Sequence, residues 1–376
     1  MRTPPKSAPE FLDLLAASGL LSSKTMDSVR TETLDAKTAE AVARRLVDRR
    51  QLTAFQAKQI LTGRHRGFFL GRFRILDLLG IGAMGRVYLA EHGLMRRQVA
   101  LKILPPNRPH DPSSIPRFHR EARAIGALNH PNIVQAYDFD EIDGLLFIAM
   151  EYVRGKNLHY FVKRHGPIPW PQAFDYAAQA AAALQHAFEL GIIHRDIKPG
   201  NLLLDRSGAV KVLDMGLARV FGELADAESG EPLSRKFDEK ILGTADYLAP
   251  EQGIDSHTVD IRADIYALGH TLWYMLTGKA AVCEGTVADK LLWHQRNSPP
   301  PIRTLVPELP KKAATVLHRA ISMHAEGRYQ TPVQFQRALE EFAIKVTAKF
   351  EPGSTIYQKP ALDSVILSTL EGTSLK

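Results

Sequence analysis

The most informative stretch of the chain runs from Ile192 to Asn201 and reads Ile-Ile-His-Arg-Asp-Ile-Lys-Pro-Gly-Asn. It places the polar side chains of Asp196, Lys198 and Asn201 on one loop, and Asp214 follows after a short predicted hairpin. Two carboxylates and a carboxamide near one point suit a magnesium–phosphate site, because Mg²⁺ takes few protein oxygens and completes its shell with phosphate and water. A metal-free carboxylate cluster is the alternative, and the motifs that lie upstream count against it.

A glycine-rich segment lies upstream, with Gly80, Ile81, Gly82 and Gly85 followed by Val87. Dinucleotide-binding loops of this spacing need a helix after the third glycine. Here the residues after the third glycine alternate in the manner of a strand. We therefore predict a strand–turn–strand hairpin whose backbone can approach phosphate oxygens closely. An ordinary glycine-rich hairpin is the alternative on these residues alone.

The next apolar strand, Val99 to Ile103, contains a lysine at position 102. A buried Lys102 is costly unless its ammonium is paired. A helix predicted from Pro116 to Leu128 offers Glu121 as the partner. Such a pair would hold an ammonium group over the phosphates of a nucleotide, whereas an edge-strand lysine that points to water is the alternative.

Changes in the spacing of apolar residues and in predicted secondary structure divide the chain into four segments. We predict a helical extension over residues 1–66, a small sheet-rich lobe over 67–153, a larger mainly helical lobe over 154–344 and a tail or linker over 345–376. In the extension, apolar spacing predicts three helices, of which the second runs from Thr38 to Leu52, and Thr53 is the expected N-cap of the last. So small a helical segment is marginal alone, so we expect it to lean on the following lobe.

Composition excludes several classes of protein. The 376 residues are 45 % hydrophobic and 24 % charged, as in folded soluble domains. The net charge of +7 is scattered and lacks interleaved aromatic residues, so no nucleic-acid partner is expected. No apolar run reaches the roughly 18 residues of a membrane helix, so we predict no membrane span within this chain. The lone cysteine, Cys283, excludes an intramolecular disulfide and suits a cytoplasmic location.

Taken in order, these motifs resemble those of the eukaryotic-like (Hanks-type) serine/threonine protein kinases of bacteria, from about Phe73 to about Phe342. The resemblance implies an α+β, two-lobed fold: a small antiparallel β-sheet lobe with one main helix, then a larger mainly helical lobe. The motifs that carry it are Gly80–Val87, Val99–Lys102, Arg120–Ala122, His194–Asn201, Asp214–Gly216, Ala249–Glu251 and Asp264–Gly269. It also implies ATP and Mg²⁺ as cofactors and protein serine or threonine hydroxyls as acceptors.

The resemblance gives the catalytic residues their roles. Asp196 would orient the substrate hydroxyl and accept its proton, and Lys198 would steady the transferring phosphoryl group. Lys102, held by Glu121, would contact the α- and β-phosphates. The magnesium ligands would be Asn201 and Asp214.

It also assigns residues to the adenine ring. Backbone groups of Glu151 and Val153 would meet the adenine edge, and Met150 would guard the pocket behind it. Ala100 and Leu203 would sandwich the ring, and the glycine loop would cover the phosphates. On spacing alone, these apolar residues are typical of ordinary core.

Two further assignments are structural. Glu251 would pair with Arg328, and Asp264 would anchor the backbone of the catalytic loop. One motif departs from the family, since Met215 stands where phenylalanine is common. Methionine is apolar and adaptable, so we expect little loss of activity.

The segment between Asp214 and Glu251 is long and acidic, which indicates regulation. Arg195 and Arg219 could bind a phosphate there, with Ser229 and Ser234 as candidate acceptors. Thr244, like Lys198, is typical of serine/threonine kinases, and we expect it to be structural. An insertion with no switching role is the alternative.

Two other functions compete with an active protein kinase. A pseudokinase scaffold would bind nucleotide without efficient transfer, but such proteins usually lose one of the four polar residues retained here. A small-molecule kinase is weakened by the motif Ala249–Glu251. The helical extension could dock on the small lobe, recognise a substrate or mediate a homodimer.

Overall fold

The computed structural model describes residues 3–82, 85–104, 125–215, 244–254, 259–282 and 284–344. These residues fall into two compact units. Of the described residues, the first unit contains 3–104 and 139–152, and the second contains 125–138 and 153–344.

The described part of the chain contains ten α-helices and nine β-strands. The helices are α1 Ala8–Ser18, α2 Ser23–Glu32, α3 Ala39–Asp48, α4 Ala54–Leu61, α5 Leu158–His165, α6 Trp170–Glu189, α7 Ile261–Thr277, α8 Val287–Arg296, α9 Lys311–Ala320 and α10 Pro332–Glu340. The strands are β1 Phe69–Leu70, β2 Phe73–Gly82, β3 Gly85–His92, β4 Arg97–Ile103, β5 Ala136–Ile142, β6 Leu145–Glu151, β7 Gly155–Asn157, β8 Leu202–Asp205 and β9 Val210–Val212.

The first unit is built on a sheet with strand order β1-β2-β3-β4-β6-β5. The glycine-rich segment forms the predicted strand–turn–strand hairpin, in which Gly82 of β2 pairs with Gly85 of β3. Gly85 has φ +122°, and a Cβ there would lie 2.0 Å from the carbonyl oxygen of Ile103. Only glycine can therefore bring β3 so close to β4 at this point.

Strand register separates two faces of this sheet. Lys102 pairs with Val87 on one side and Ile148 on the other, so these three residues share a face, which we call the inner face. Ile103 pairs with Arg86 and Phe147, and these residues share the opposite, outer face. The outer face carries a buried apolar cluster, whose members are Leu70, Phe73, Ile75, Ala90, Val99, Leu101, Phe147 and Ala149.

The helical extension contains four helices in its described part, where the sequence predicted three. The missed helix, α2, has only Met26 and Val29 as buried residues, so its apolar periodicity is too weak to read. The predicted helix to Leu52 is also too long, because α3 ends at Asp48 and a turn follows. The N-cap at Thr53 is confirmed: its side chain accepts from Gln56 N–H, and the Gln56 side chain accepts in return.

The extension packs on the sheet of the first unit, as the sequence predicted. Its own core includes the fully buried side chains of Phe11, Leu15 and Ile60. Burial of each such side chain contributes about 1.5–3 kcal/mol. Two side chains at the start of α4 reach the sheet: Thr53 Oγ1 donates to the carbonyl of Leu76 at 2.5 Å, and Gln56 Nε2 donates to that of Ile75 at 2.7 Å.

The second unit is mainly helical. The alanine-rich α6 and the apolar α7 form its centre, and α7 is buried from Ala263 to Leu276. The unit also contains a small antiparallel sheet with strand order β7-β8-β9. The loop with Asp196, Lys198 and Asn201 leads into β8, and Asp214 follows β9. This arrangement fixes both ends of the segment that contains the predicted catalytic residues.

Two features are absent from the described ranges, a membrane-spanning helix and a group of three or more metal-binding side chains. No helix in those ranges is both long enough and apolar enough to cross a bilayer. The same part of the chain holds no group of three or more His, Cys, Asp and Glu side chains arranged to bind a metal ion. The predicted helix around Glu121, the predicted tail over 345–376 and Cys283 lie outside the described residues.

Candidate active site

A buried carboxylate from α7 anchors the catalytic segment, which we define as residues 194–214. Asp264 accepts the backbone N–H of His194 at 2.7 Å and that of Arg195 at 2.8 Å. Burial raises the pKa of Asp264 above its ordinary value, while these two donors oppose the shift. Arg195 has φ +67°, a strained conformation that the two bonds hold in place. The predicted anchoring role of Asp264 is confirmed.

The imidazole of His194 joins the two ends of the segment. Its Nδ1 accepts the N–H of Asp196 at 3.2 Å, so Nε2 is the atom that donates to the carbonyl of Leu213 at 2.7 Å. His194 is 1 % exposed. The ring therefore ties the loop before Asp196 to the strand end before Asp214.

Lys198 and Asn201 fix the carboxylate of Asp196. Lys198 Nζ lies 2.8 Å from Oδ1 and 2.9 Å from Oδ2. Asn201 Nδ2 donates to Oδ2 at 3.0 Å and to the Asp196 carbonyl at 2.7 Å. The same ammonium of Lys198 donates to Thr244 Oγ1 at 2.7 Å. The structure thus brings together Asp196, Lys198, Asn201 and Thr244 within direct contact.

Asp214 closes the segment. It has φ +55°, and the main chain before it is held because Leu213 N–H donates to the Asn201 carbonyl at 2.8 Å. Met215 is 3 % exposed, which agrees with an apolar packing role for this departure from the family motif. Because Asn201 donates both amide hydrogens to Asp196, its carboxamide oxygen is the atom suited to a cation.

Among the nucleotide residues predicted in the first unit, Val87, Ala100, Lys102 and Met150 share the inner face, whereas Ile81, which pairs with Arg86, and Glu151, which pairs with Val99, lie on the outer face. Lys102 is 4 % exposed, and Ala100 pairs with Met150 one alternation further along the strands. Glu151 ends β6 and is half-buried. The nucleotide-binding roles of these residues stay predictions, and Glu121, the predicted partner of Lys102, lies outside the described residues.

The remaining adenine residues belong to the second unit. Leu203 lies in β8, where it pairs with Asn157 and Lys211 and is half-buried. Val153 lies just before β7. Their placement follows from the short sheet of this unit.

A salt bridge between two residues that are far apart in the sequence stabilises the end of the activation segment, which we define as the stretch between Asp214 and Glu251. Arg328, with no exposed surface, donates to Glu251 at 2.6 and 2.9 Å and stacks on the ring of Tyr266 at 4.6 Å. It also donates to three backbone carbonyls, those of Arg262, Ser322 and Met323. The predicted pairing of Glu251 with Arg328 is confirmed.

The sequence reasoning missed a group of residues that hold the backbone after Thr244. His294 of α8 donates from Nε2 to the carbonyl of Ala245 at 2.9 Å and accepts the hydroxyl of Tyr266 at 2.7 Å through Nδ1. Lys290 pairs with Asp246 at 2.5 Å. Burial lowers the pKa of His294 to about 4, against the carbonyl bond, which raises it. Nothing in the local sequence of α8 indicates these contacts, because their partners are decided by folding.

The predicted regulatory residues are only partly described. The guanidinium of Arg195 makes no side-chain hydrogen bond or ion pair with a described residue. Thr244 contacts Lys198, in keeping with the structural role expected of it. Arg219, Ser229 and Ser234 lie outside the described residues.

Comparison with known proteins identifies the class. Residues 73–334 match the family described as protein kinase domain, so the chain belongs to the protein kinase family. The serine/threonine-protein kinase PknB of Mycobacterium leprae is 37 % identical over 272 residues, which cover 71 % of this chain and 42 % of that protein. PrkC of Bacillus subtilis, also a serine/threonine-protein kinase, is 35 % identical over 261 residues, which cover 69 % of this chain and 39 % of that protein.

A solved structure shares the fold. The kinase domain of Mycobacterium tuberculosis PknI matches with a TM-score of 0.56 and 28 % identity, covering 74 % of this chain and 98 % of that one. The predicted α+β kinase fold and the predicted bacterial Hanks-type serine/threonine family are therefore confirmed. The chain spans about two-fifths of the length of the curated relatives it matches.

Proposed function

We propose that this chain is a serine/threonine protein kinase that transfers the γ-phosphoryl group of ATP to protein hydroxyls in the presence of Mg²⁺. The observation that carries the proposal is the environment of Asp196. One ammonium, from Lys198, lies within 2.9 Å of both carboxylate oxygens and within 2.7 Å of a threonine hydroxyl. Such an arrangement combines a proton acceptor with a fixed positive charge, as phosphoryl transfer requires.

The proposed step uses Asp196 as the base. The oxygen of the substrate hydroxyl forms a bond to the γ-phosphorus, and the bond from that phosphorus to the β–γ bridging oxygen breaks, which leaves ADP. The hydroxyl proton passes to a carboxylate oxygen of Asp196. Lys198 stabilises negative charge on the transferring group, because its ammonium is held by contacts on two sides.

The donor atoms fit a magnesium ion. The Asn201 carboxamide oxygen and the Asp214 carboxylate are hard oxygen ligands, and a site with so few protein ligands suits Mg²⁺ with phosphate and water. When bound, the ion would neutralise charge on the phosphates. The Asn201 amide orients the carboxamide by donating to Asp196, so the ligand and the base are held by one set of bonds.

The inner-face residues of the first unit are proposed to bind the nucleotide. Lys102 would contact the α- and β-phosphates with Glu121 as its partner, and the glycine hairpin would cover the phosphates. The backbone at Glu151 and Val153 would meet adenine, with Met150 behind it. Ala100 and Leu203 would sandwich the ring, as the family resemblance implies, and Val87 would bind the nucleotide beside the glycine hairpin.

The competing proposal is a scaffold that binds nucleotide without efficient transfer. No comparison supports it, and the hydrogen bonds around Asp196 are those of an intact catalytic segment. The two proposals differ in phosphate transfer and agree in nucleotide binding. That difference defines the test.

The test is intact-mass measurement of phosphatase-treated protein after incubation with ATP and Mg²⁺, with and without a generic basic protein substrate. We expect added phosphate on the parent chain or on the substrate, and none with Asp214→Asn. ATP affinity measured by calorimetry is the matched readout. Phosphate transfer absent in the parent while ATP still binds would favour the scaffold.

We also propose that phosphorylation of Ser229 or Ser234 orders the activation segment by contacts to Arg195 and Arg219. The support is the Arg195 guanidinium, which makes no side-chain hydrogen bond or ion pair with a described residue. The double replacement Ser229→Ala and Ser234→Ala should lower the activity of autophosphorylated protein toward an added substrate. Unchanged activity would favour an insertion with no switching role.

We also propose that the chain forms a homodimer and is located in the cytoplasm. The helical extension, as a candidate for self-association, motivates the first, and the lone cysteine motivates the second. Sedimentation of the parent chain at several concentrations would test the dimer.

A further inference from the structure

A cavity of 640 Å³ lies within the first unit, where the helical extension meets the outer face of the sheet. We propose that it binds a small amphipathic anion, namely a carboxylate on a medium-chain acyl body. The volume falls in the range of about 300–1,000 Å³ that is common for small-molecule sites. The described lining residues come from α4, from the connection that leads into β1, and from the outer sides of β2, β3, β4 and β6.

Most of the lining is apolar. Phe55 of α4 faces Tyr88 of β3 with ring centroids 6.2 Å apart, and Ile75 and Ile103 add aliphatic surface. Ile81, which also lines the cavity, is an aliphatic residue with 64 % of its surface exposed. Exposed apolar surface that adjoins a cavity is surface that an apolar ligand would cover.

The polar part of the lining has one sign of charge. Arg64, Arg66 and Arg86 line the cavity, and no Asp or Glu appears among its described lining residues. None of these three guanidinium groups makes a side-chain hydrogen bond or ion pair with a described residue. Elsewhere in the extension arginines do find carboxylates, as Arg45 does with Asp35 at 2.6 Å.

These charges decide the chemistry of the occupant. Guanidinium groups bind carboxylates through paired, charge-assisted hydrogen bonds. A neutral apolar molecule would leave the arginines without a partner. Inorganic phosphate would pair with them but leave the aromatic and aliphatic walls uncovered. A carboxylate joined to an acyl chain satisfies both parts of the lining.

The cavity lies on the strands that carry the proposed nucleotide residues. Arg86 and Ile103 pair across β3 and β4 on the outer face, and the next pair, Val87 and Lys102, lies on the inner face. Gly85 of the glycine hairpin also lines the cavity. A ligand that fixes these strands should therefore change nucleotide affinity, and nucleotide should change ligand affinity by the same factor.

The direct test is calorimetric titration of the parent chain with sodium decanoate. We expect saturable binding, weaker binding of decanol and of inorganic phosphate, and a loss of about tenfold or more with Arg86→Gln or Arg64→Gln. Gln59→Trp, which fills the cavity from α4, should weaken decanoate in the same way. Arg50→Gln removes an exposed arginine outside the cavity and should leave the affinity unchanged.

Three outcomes would overturn the proposal. These are absence of decanoate binding, equal losses with Arg50→Gln and Arg86→Gln, and phosphate binding as tight as decanoate. Since the three arginines are exposed, their variants should fold, and thermal melting verifies this before titration. If Gln59→Trp does not fold, the arginine variants still decide the result.

The coupling to nucleotide rests on the proposed function and has a separate readout. Titration of ATP with and without saturating decanoate should give different ATP affinities in the parent chain and equal ones in Arg86→Gln. If the parent binds decanoate but not ATP, the proposed function fails and the cavity stands. If it binds ATP with one affinity in both conditions, the coupling is wrong.

Discussion

The catalytic segment and the outer face of the sheet differ in the kind of contact that holds them. In the catalytic segment, Asp264 and His194 are buried and bind main-chain groups that lie far away in sequence. On the outer face, apolar side chains of the sheet and of α4 pack together, and Thr53 and Gln56 reach the sheet through hydrogen bonds. Polar contacts fix direction and position, whereas apolar packing fixes proximity.

This difference has a consequence for mutation. In the catalytic segment, removal of one partner leaves a buried polar group without compensation, which is costly. On the outer face, the loss of one contact removes only a small part of the total free energy of apolar packing. We expect the largest effects of substitution in the second unit and the smallest at the contact between the extension and the sheet.

The largest effect should come from Asp196→Asn. The amide cannot accept the hydroxyl proton, so the rate of phosphate transfer should fall by about 10²–10⁴-fold. Steady-state transfer to a basic protein substrate measures it. Asp140→Asn, on an exposed part of β5, is the matched control and should leave the rate unchanged. A fall of less than tenfold would contradict the assignment of the base.

Glu251→Ala should give the largest loss of stability. It leaves the fully buried Arg328 without its carboxylate partner, and broken buried pairs cost about 3–5 kcal/mol. Urea unfolding followed by tryptophan fluorescence measures the change. Asp13→Asn, which breaks the exposed pair with Arg30, should have no resolvable effect. Equal losses of unfolding free energy in the two variants would contradict the expectation that the buried pair contributes more stability than the exposed one.

Acidification should destabilise the second unit through His294. The pKa of His294 falls from 6.5 to about 4 on folding because the ring is buried. The unfolded chain then binds the proton first, so the stability of this unit is highest above pH 6.5 and is lost as pH falls toward 4. The contribution of His294 amounts to about 3 kcal/mol.

Unfolding free energies of the parent chain and of His294→Gln at pH 7 and pH 4.5 check this prediction. The parent should lose more stability over this interval than the variant. His270, whose pKa burial also lowers well below its ordinary value, adds a slope common to both proteins. Equal slopes would show that His294 is already protonated in the folded state.

The smallest effect should come from Gln56→Ala at the contact between the extension and the sheet. It leaves the carbonyl of Ile75 without its donor, at a cost of about 1–3 kcal/mol. Lys58→Ala, on the same helix, should cost less. Hydrogen exchange of the α1–α4 amides reports the loss directly. An effect as large as that of Glu251→Ala would show that polar contacts dominate the outer face too.

Much of the candidate site could be predicted from the sequence because its residues are close together in the chain. Asp196, Lys198 and Asn201 lie on one loop, so a motif reports them. The glycine hairpin was predicted in the same way, from alternation after the third glycine. The helix α2 and the contacts of His294 could not be predicted, because the first has few buried residues and the second pairs with Ala245 across the fold.

The sequence alone determined the fold class, the protein kinase family and the identity of the polar residues, since local motifs and strand alternation encode them. The tertiary structure decided the rest. It showed that His294 holds the backbone at Ala245, and that the helical extension covers the outer face and encloses a cavity lined by arginines. These are contacts between residues far apart in the chain, and no local pattern specifies which distant groups meet when the chain folds.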